Sequence, residues 1–225
     1  MRVDCLPLIE KEHCYLVEGF TKKPVIAGFT KHSLAGNLPD DIYKALSFID
    51  LPLDVAYLNQ IHSSGVEQID SPGIYEGDGL FTFRKNLVLV VKTADCLPLL
   101  GLDEKGGLIS AIHMGWRSAE SGILHNMPVL SDSFKLIAAC GLRRCCYRVG
   151  EEFRGYARVK PYLFQDDQGI KFDPIAFIRK EMRGIGVTDH NFFDLDVCNH
   201  CSTYGLPSYR RDKTLNRTLS FIVKI

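Results

Sequence analysis

Three short stretches of this sequence carry side chains that could do chemistry together. They read NQIHSSGV, KTADCLP and AIHMGWRS, and they contain His62, Cys96 and His113. Imidazole and thiolate groups are typical zinc ligands, and three protein ligands leave a fourth position open for water or substrate. His62, Cys96 and His113 are therefore candidate ligands of a catalytic zinc ion.

The spacing of these residues does not by itself establish a metal site. The gaps are 34 residues (96 − 62) and 17 residues (113 − 96), unlike the short loops of a zinc finger. A cysteine in an apolar run is commonly part of a hydrophobic core. A histidine at the end of a strand is commonly just hydrogen-bonded. A structural role for each residue taken alone therefore stays open at this point.

Strands dominate the elements that must position these residues. Short runs rich in Val, Ile, Leu and Phe, bounded by Gly, Asp, Asn or Pro, predict nine strands. The predicted strands are 25–29, 55–61, 80–83, 87–91, 97–102, 108–113, 135–139, 192–197 and 219–223. The candidate ligands lie at or just beyond strand ends, beside turns, where functional sites are usually built.

Helices are predicted in fewer places. The candidate segments are 40–49, 118–130, 151–162 and 174–184. The last is the best defined, because Asp173 can cap a helix whose first residue is Pro174. Ser118 is predicted to cap the second. Because strands outnumber helices and do not strictly alternate with them, the pattern predicts an α+β fold with mixed β-sheets.

Composition and charge exclude several classes of protein. Of 225 residues, 46% are hydrophobic and 24% are charged, which is typical of a globular chain. Lys and Arg total 27, as do Asp and Glu, so a nucleic-acid binder working through a general basic field is disfavoured. We find no apolar run near 20 residues and no secretory signal pattern. We expect one domain, residues 1–225, in the cytoplasm, with no nucleic-acid or membrane partner.

The cysteine content raises a second question about metal. The eight cysteines are Cys5, Cys14, Cys96, Cys140, Cys145, Cys146, Cys198 and Cys201. In a chain of this length without a signal peptide, reduced thiols are expected rather than disulfides. Cys145–Cys146 and the Cys198-x-x-Cys201 pair, with His200 between, could form a structural zinc site. The interpretation we favour from sequence is that these thiols are core residues.

Five motifs in order along the chain resemble one known family. They are NQIHSSGV, KTADCLPLLGLD, AIHMGWRSAESGIL, ACGLRRCCYRVGEEF and CNHCSTYGLPSYRRDKTLNRTLSFI. This series resembles the YfiH-type proteins, first labelled multicopper polyphenol oxidase or laccase-like and now described as zinc-dependent purine nucleoside phosphorylases. The resemblance implies a four-layer α/β/β/α architecture. It also implies that His62, Cys96 and His113 bind the metal, which is Zn²⁺ with Cu²⁺ as the alternative.

The resemblance further implies the reaction and its small-molecule partners. Adenosine, inosine and methylthioadenosine would be cleaved by phosphate, and adenosine would also lose ammonia; no oligomeric state is predicted. Asp95 and Asp78 are candidate catalytic carboxylates beside Cys96 and His113, because zinc deaminases move a proton with a carboxylate that is not a ligand. From the residues themselves, phosphate would be bound by the Arg117 guanidinium and by free backbone N–H groups at the helix start at Ser118. Lys31 and Arg210 are further candidate substrate- or phosphate-binding residues.

The sequence also departs from the family pattern. Ser63 and Ser118 stand where glycines are usual, Lys31 replaces an arginine, Gly141–Leu142 replaces Gly-Pro, and Arg148 replaces a glutamate. We expect these positions to lie in loops around the pocket and to affect substrate preference.

Three rival functions use the same residues. Two histidines and one cysteine also form the blue-copper ligand set, which would suit a polyphenol oxidase. A laccase needs many more histidines, and this chain has seven and no His-x-His pair. Cys96 and His113 could instead be the nucleophile and base of a hydrolase. The last alternative is a protein that keeps zinc only for stability.

Overall fold

The protein is built mainly from β-strands. The structure, a computed structural model, describes residues 6–20, 24–31 and 38–225, so Cys5 lies outside the described residues. Within them the strands are β1 (Leu8–Glu10), β2 (Cys14–Val17), β3 (Val25–Thr30), β4 (Asp54–Asn59), β5 (Val66–Gln68), β6 (Gly73–Glu76), β7 (Gly79–Thr82), β8 (Leu87–Thr93), β9 (Leu97–Asp103), β10 (Leu108–Met114), β11 (Phe134–Ala138), β12 (Leu163–Asp166), β13 (Gly169–Phe172), β14 (Phe192–Asp194) and β15 (Thr218–Lys224).

Helices are short, and one is capped as its sequence predicts. They are α1 (Leu38–Ala45), α2 (Trp116–Glu120), α3 (Pro174–Gly184) and α4 (Tyr209–Asp212). Asp173 caps α3 by accepting a hydrogen bond from the Ala176 amide at 3.0 Å, and Pro174 needs no partner at the first helical position. None of the helices in the described part of the chain is long and apolar enough to cross a membrane.

Two mixed sheets make up the body of the fold. One has seven strands in the order β1-β2-β3-β15-β8-β4-β6, and the other has six in the order β14-β11-β9-β10-β7-β5. β4 is parallel to both of its neighbours, and the edge pairs β5–β7 and β11–β14 are also parallel. The other pairs within these two sheets are antiparallel. β12 and β13 form a separate hairpin.

The sheets stack face to face and helices cover their outer faces. Alternation along β8 shows this arrangement, since Leu89 belongs to the core between the sheets whereas Val90 packs with Ile42 of α1. On the other sheet, Ile112 of β10 packs in the cluster that contains Phe177 of α3. Each such buried side chain contributes roughly 1.5–3 kcal/mol relative to an exposed one. The layers are therefore α/β/β/α, which confirms the expected architecture.

The structure contains all nine predicted strands, but two helix predictions are wrong. Residues 151–162 do not form an α-helix; they form two 3-10 helices, Glu151–Gly155 and Lys160–Tyr162, because Gly155 and Pro161 interrupt the segment. The helix predicted to begin at Ser118 begins at Trp116, after Gly115. It ends before Gly122, whose φ of 82° is incompatible with continuing the helix.

Candidate metal centre

His62, Cys96 and His113 converge at one end of the space between the sheets. His62 follows β4, Cys96 lies in the connection by which the chain passes from β8 in one sheet to β9 in the other, and His113 is near the end of β10. The three donor atoms all lie within 4.8 Å of one another, with Cys96 Sγ 3.9 Å from His62 Nε2. The structure thus brings the predicted ligand set together.

Local backbone geometry makes room for this convergence. His62 has a φ of 59°, a left-handed conformation that turns the chain sharply just beyond β4. Gly115 lies directly against the cluster. A Cβ atom at this position would be 2.9 Å from Cδ2 of His62 and 3.2 Å from Sγ of Cys96. Any larger residue at 115 would therefore push at least one candidate ligand out of place.

A buried carboxylate fixes the orientation of His113. Asp78 is fully buried, and its Oδ1 lies 2.7 Å from Nδ1 of His113. Its other oxygen accepts hydrogen bonds from the amide and the hydroxyl of Ser63. Burial raises the pKa of Asp78. The hydrogen bonds from His113 and Ser63 lower it by more than burial raises it, so the pKa lies below its ordinary value. With Nδ1 engaged, Nε2 is the ring nitrogen of His113 that is available to a metal.

The electrostatics of the cluster favour a thiolate. Burial raises the pKa of Cys96, but His113 and His62 outweigh burial and bring it to about 6. Burial lowers the pKa of His113, but Asp78 and Cys96 raise it to about 9. The thiolate is the form of cysteine that binds metals, and a metal would displace the proton from the imidazole. Two imidazoles and one thiolate make a donor set that fits zinc, and the carboxylate of Asp78 holds one of these imidazoles in the required orientation.

Asp95 adjoins this cluster but is engaged elsewhere. Its carboxylate accepts hydrogen bonds from the Ser208 hydroxyl at 2.7 Å, the Arg210 amide at 2.8 Å and the Asn199 side-chain amide at 3.3 Å. All three donors belong to one segment near the C-terminus. This arrangement indicates that Asp95 holds that segment against the metal centre, whereas the sequence suggested a proton carrier.

The three candidate ligands line a cavity of about 660 Å³. This volume is within the range of small-molecule sites. Four cationic side chains line the cavity, namely Lys92, Arg117, Arg210 and Arg217. The one acidic residue among its described lining residues is Asp95, whose oxygens already accept three hydrogen bonds. The cavity therefore offers an excess of positive charge to an anion.

Two of the predicted substrate-binding residues lie in this cavity. The guanidinium of Arg117 lies over the Trp116 ring, 4.5 Å from its centroid, and its side chain is exposed to the cavity. Trp116 itself packs against Phe153 and Tyr156. Arg210 lies over the ring of Tyr147 at 4.9 Å.

The other two, Ser118 and Lys31, are not among the residues that line the cavity. Anion binding by backbone amides at the start of α2 stays a prediction, with the helix beginning at Trp116. Ser118 is fully buried inside α2, and its hydroxyl has no hydrogen-bond partner among the described residues. Lys31 is paired with Glu10 at 2.5 Å and lies over the ring of Tyr15 at 5.3 Å, on the β1–β3 side of the sheet. Side-chain contact of either residue with a substrate in the cavity is not supported by this geometry.

The departures from the family pattern differ in how they stand to the cavity. Leu142 lines it, but Lys31, Ser63, Ser118 and Arg148 do not. Ser63, Ser118 and Arg148 each directly follow a lining residue, namely His62, Arg117 and Tyr147, whereas Lys31 lies away from the cavity, paired with Glu10. Ser63 acts on the site indirectly, because it donates two hydrogen bonds to the carboxylate that orients His113.

Sequence reasoning missed several cavity residues, including Lys92 and Arg217. Lys92 begins the KTADC motif, so its position beside Cys96 was a usable signal. The Gln60 amide donates to the Lys92 carbonyl at 2.8 Å and accepts from the Lys92 amide at 2.9 Å, which ties the loop carrying His62 to the end of β8. Arg217 lies far along the sequence and had no comparable signal.

Solved structures place the fold in a known class. The crystal structure of the Bacillus licheniformis hypothetical protein YfiH superposes with a TM-score of 0.84, 19% sequence identity and coverage of 97% of this chain and 99% of that chain. YlmD from Geobacillus stearothermophilus gives 0.82, with 19% identity and coverage of 98% and 99%. The chain thus has the YfiH fold, and in this chain the fold carries a cluster of two histidines and one cysteine.

Sequence comparison identifies the family. The profile of the family described as multi-copper polyphenol oxidoreductase laccase matches residues 40–224, so the chain belongs to this family. A protein of Aquifex aeolicus named purine nucleoside phosphorylase is 34% identical over 159 residues, covering 68% of this chain and 73% of that protein. One of the same name from Clostridium acetobutylicum is 33% identical over 187 residues, covering 76% and 77%.

Proposed function

We propose that this protein is a zinc-dependent purine nucleoside phosphorylase that acts on adenosine, inosine and methylthioadenosine. The observation that carries the proposal is that one cavity contains both the His62, Cys96 and His113 cluster and four cationic side chains. Phosphorolysis needs an anion site beside the site of bond cleavage. The relatives named purine nucleoside phosphorylase, at 34% and 33% identity, support the substrate class.

The cationic side chains would hold the phosphate. Burial, together with the nearby charge of Arg217, lowers the pKa of Lys92, and a bound anion would relieve that repulsion. Arg117 makes no ion pair with any of the described residues, so its planar fork of donors remains free for phosphate oxygens. In the reaction, a phosphate oxygen forms a bond to C1′ of the ribose. The bond from C1′ to the purine nitrogen breaks, and its electron pair leaves with the base.

The metal cluster would work beside this anion site. His62, Cys96 and His113 would hold the zinc, and Asp78 would keep His113 in the required tautomer. When bound, zinc would supply Lewis-acid stabilisation of developing negative charge. Asp95 would hold the segment that carries Tyr209 and Arg210 in place against the cavity.

Deamination of adenosine is the second activity in this proposal, and we expect it to be slower. Zinc deaminases use a carboxylate that is not a ligand to move the proton. The cavity carboxylate here, Asp95, already accepts hydrogen bonds from Asn199, Ser208 and Arg210. Proton transfer would therefore be less well supported than phosphate binding.

Product analysis tests the proposal. Zinc-loaded protein is incubated with adenosine, inosine or methylthioadenosine, with and without phosphate, and the products are separated by chromatography. Free base that forms only with phosphate supports phosphorolysis. Inosine formed from adenosine without phosphate supports deamination. If neither product forms, the proposal fails.

A Cys–His hydrolase is the second candidate function. The side chain of His113 lies between the thiol of Cys96 and the carboxylate of Asp78 and interacts with both. Asp78 orients the imidazole, and the imidazole lowers the pKa of the thiol, as in activated nucleophile sites. Chelation separates the two functions. A thiol hydrolase would be active without metal and inactivated by alkylation of Cys96, whereas the phosphorylase would lose activity to the chelator. A copper-dependent oxidation of phenols by the reconstituted protein would instead favour the polyphenol oxidase.

A further inference from the structure

Four cysteine thiols meet at a second place, outside the cavity. The Sγ atoms of Cys145, Cys146, Cys198 and Cys201 all lie within 4.8 Å of one another, and those of Cys145 and Cys201 are 3.7 Å apart. None of these residues lines the cavity. Cys145 and Cys201 are exposed, which is unusual for thiols that serve only as core residues.

The distances suit one tetrahedral metal ion. Zinc–thiolate bonds of about 2.3 Å at tetrahedral angles place pairs of sulfurs about 3.8 Å apart. The separation of 3.7 Å between Cys145 and Cys201 is close to that value. A disulfide requires about 2.05 Å and joins sulfurs in pairs, whereas these four form one group. In a cubane iron–sulfur cluster each cysteine binds a different iron, which places the sulfurs farther apart than ligands of a single ion.

The backbone around Cys198 is arranged as in metal-binding Cys-x-x-Cys turns. Backbone amide groups of Arg143, His200 and Cys201 surround the sulfur of Cys198 and donate to it. The Ser202 amide also donates to the Cys198 carbonyl at 2.9 Å and closes the turn. These amide groups stabilise negative charge on the sulfur in the absence of any metal.

Other contacts hold the turn in place independently of the thiols. The Arg211 guanidinium donates to the carbonyls of Asn199 at 2.9 Å, His200 at 2.8 Å and Leu206 at 2.7 Å. The Gly141 amide donates to the Val197 carbonyl at 3.1 Å. The fold around the cluster therefore does not depend on a single cysteine, and variants at the exposed positions are expected to fold.

We propose that Cys145, Cys146, Cys198 and Cys201 bind one Zn²⁺ ion in a structural site separate from the cavity. All four ligands come from the protein, so no position remains open for catalysis. The ion would join the segment 140–149 to the segment 197–212. Leu142 and Tyr147 of the first, and Tyr209 and Arg210 of the second, line the cavity, so the ion would fix one of its walls.

Zinc content per chain tests this proposal with the full-length protein. Wild type, purified without added metal and passed over a desalting column, should contain two zinc ions per chain. Cys201→Ser and Cys145→Ser should each contain one. Cys14→Ser is the control, because Cys14 lies in β2 and donates to the Ala45 carbonyl; it should contain two. Cys96→Ala should lose the ion in the cavity and keep the ion bound by the four cysteines. The two proposed sites are therefore tested separately.

Cobalt substitution gives an independent readout. Loading with Co²⁺ should produce the intense thiolate-to-metal charge-transfer and visible bands of a four-sulfur tetrahedral site. The bands should persist in Cys96→Ala. In Cys201→Ser they should fall to the weaker bands of the one-thiolate cavity site, and in the double variant Cys96→Ala/Cys201→Ser they should disappear. Equal zinc content in wild type, Cys201→Ser and Cys145→Ser would overturn the proposal. So would iron in place of zinc, or a Cys145–Cys201 disulfide in peptide maps of the unreduced protein.

Discussion

Oδ1 of Asp78 lies 2.7 Å from Nδ1 of His113, although the two residues are 35 positions apart in the sequence and both are buried. The His113 amide also donates to the Asp78 carbonyl at 2.7 Å, so backbone and side chain fix the same pair. This relationship determines which nitrogen of His113 faces Cys96. A candidate ligand thus depends on a carboxylate that does not line the cavity.

Asp78→Asn should weaken zinc binding at the cavity by about 10- to 100-fold. Ser63 donates twice to one carboxylate oxygen, so the oxygen of the substituted side chain would take that position and its NH₂ would face His113. Nδ1 would then have to accept, which moves the ring proton to the nitrogen that a metal needs. Competition with a chelator of known affinity measures the change. Asp70→Asn, an exposed carboxylate near β6, is the control. Unchanged zinc affinity in Asp78→Asn would contradict this role.

Asp95→Asn should lower thermal stability and reduce turnover without removing a limb of the pH–rate profile. The amide would present a donor to the hydroxyl of Ser208 or the amide of Arg210, at a cost of about 1–3 kcal/mol. For a chain of this size, this corresponds to a fall of several degrees in melting temperature. Ser208→Ala removes one donor to Asp95 and also the hydroxyl that caps α4, so it should lower the melting temperature as well. A proton carrier would behave differently, with a loss of roughly 10²- to 10⁴-fold in kcat, a missing limb and an unchanged melting temperature.

Arg117→Ala should raise the KM for phosphate by about tenfold or more, because a charge-assisted hydrogen bond contributes roughly 1.5–3 kcal/mol. The KM for the nucleoside should change little. Arg117→Lys should recover part of the affinity if charge matters more than stacking on Trp116. Arg154→Ala, an exposed arginine paired with Glu151, is the matched control. An unchanged KM for phosphate in Arg117→Ala would remove this residue from the anion site.

Asp103 should contribute stability that depends on pH. Burial raises its pKa, but hydrogen bonds from the Gly106 amide and the hydroxyls of Ser131 and Ser133 lower it below the ordinary value of 3.8. The unfolded chain therefore takes up this proton at a higher pH than the folded chain. The contribution is present above about pH 5 and is lost as the pH falls through the range below about 4. Denaturant unfolding of wild type and Asp103→Asn should differ by about 1–3 kcal/mol near neutral pH and converge in strong acid. A constant difference across this range would show that Asp103 does not titrate as described.

Much of the fold follows from local sequence. The central strands β8, β9 and β10 are apolar on both faces, so their sequences indicate buried strands directly. The start of the α3 helix follows from Asp173 and Pro174. The strands β12 and β13 were missed because each has only four residues, and packing with other elements rather than composition determines them.

The candidate site also has one part that the sequence predicts and another that only the structure shows. His62, Cys96 and His113 have side chains whose chemistry suggests their role, and the family resemblance supported it. The roles of Asp78 and Asp95 could not be separated in the sequence, since a carboxylate near a ligand is equally suited to orient or to transfer a proton. Only the partners of each oxygen distinguish the two. The approach of Cys145 to Cys201 depends on tertiary contacts between segments 56 residues apart.

Phosphorus NMR of the reaction with inosine tests the central claim most directly. Zinc-loaded wild type in phosphate buffer should convert inorganic phosphate to a sugar 1-phosphate, with a new resonance that grows in proportion to the hypoxanthine released. Cys96→Ala under the same conditions should give neither product. Hypoxanthine released at the same rate without phosphate, with no new phosphorus resonance, or no hypoxanthine at all from the zinc-loaded protein, would contradict the account.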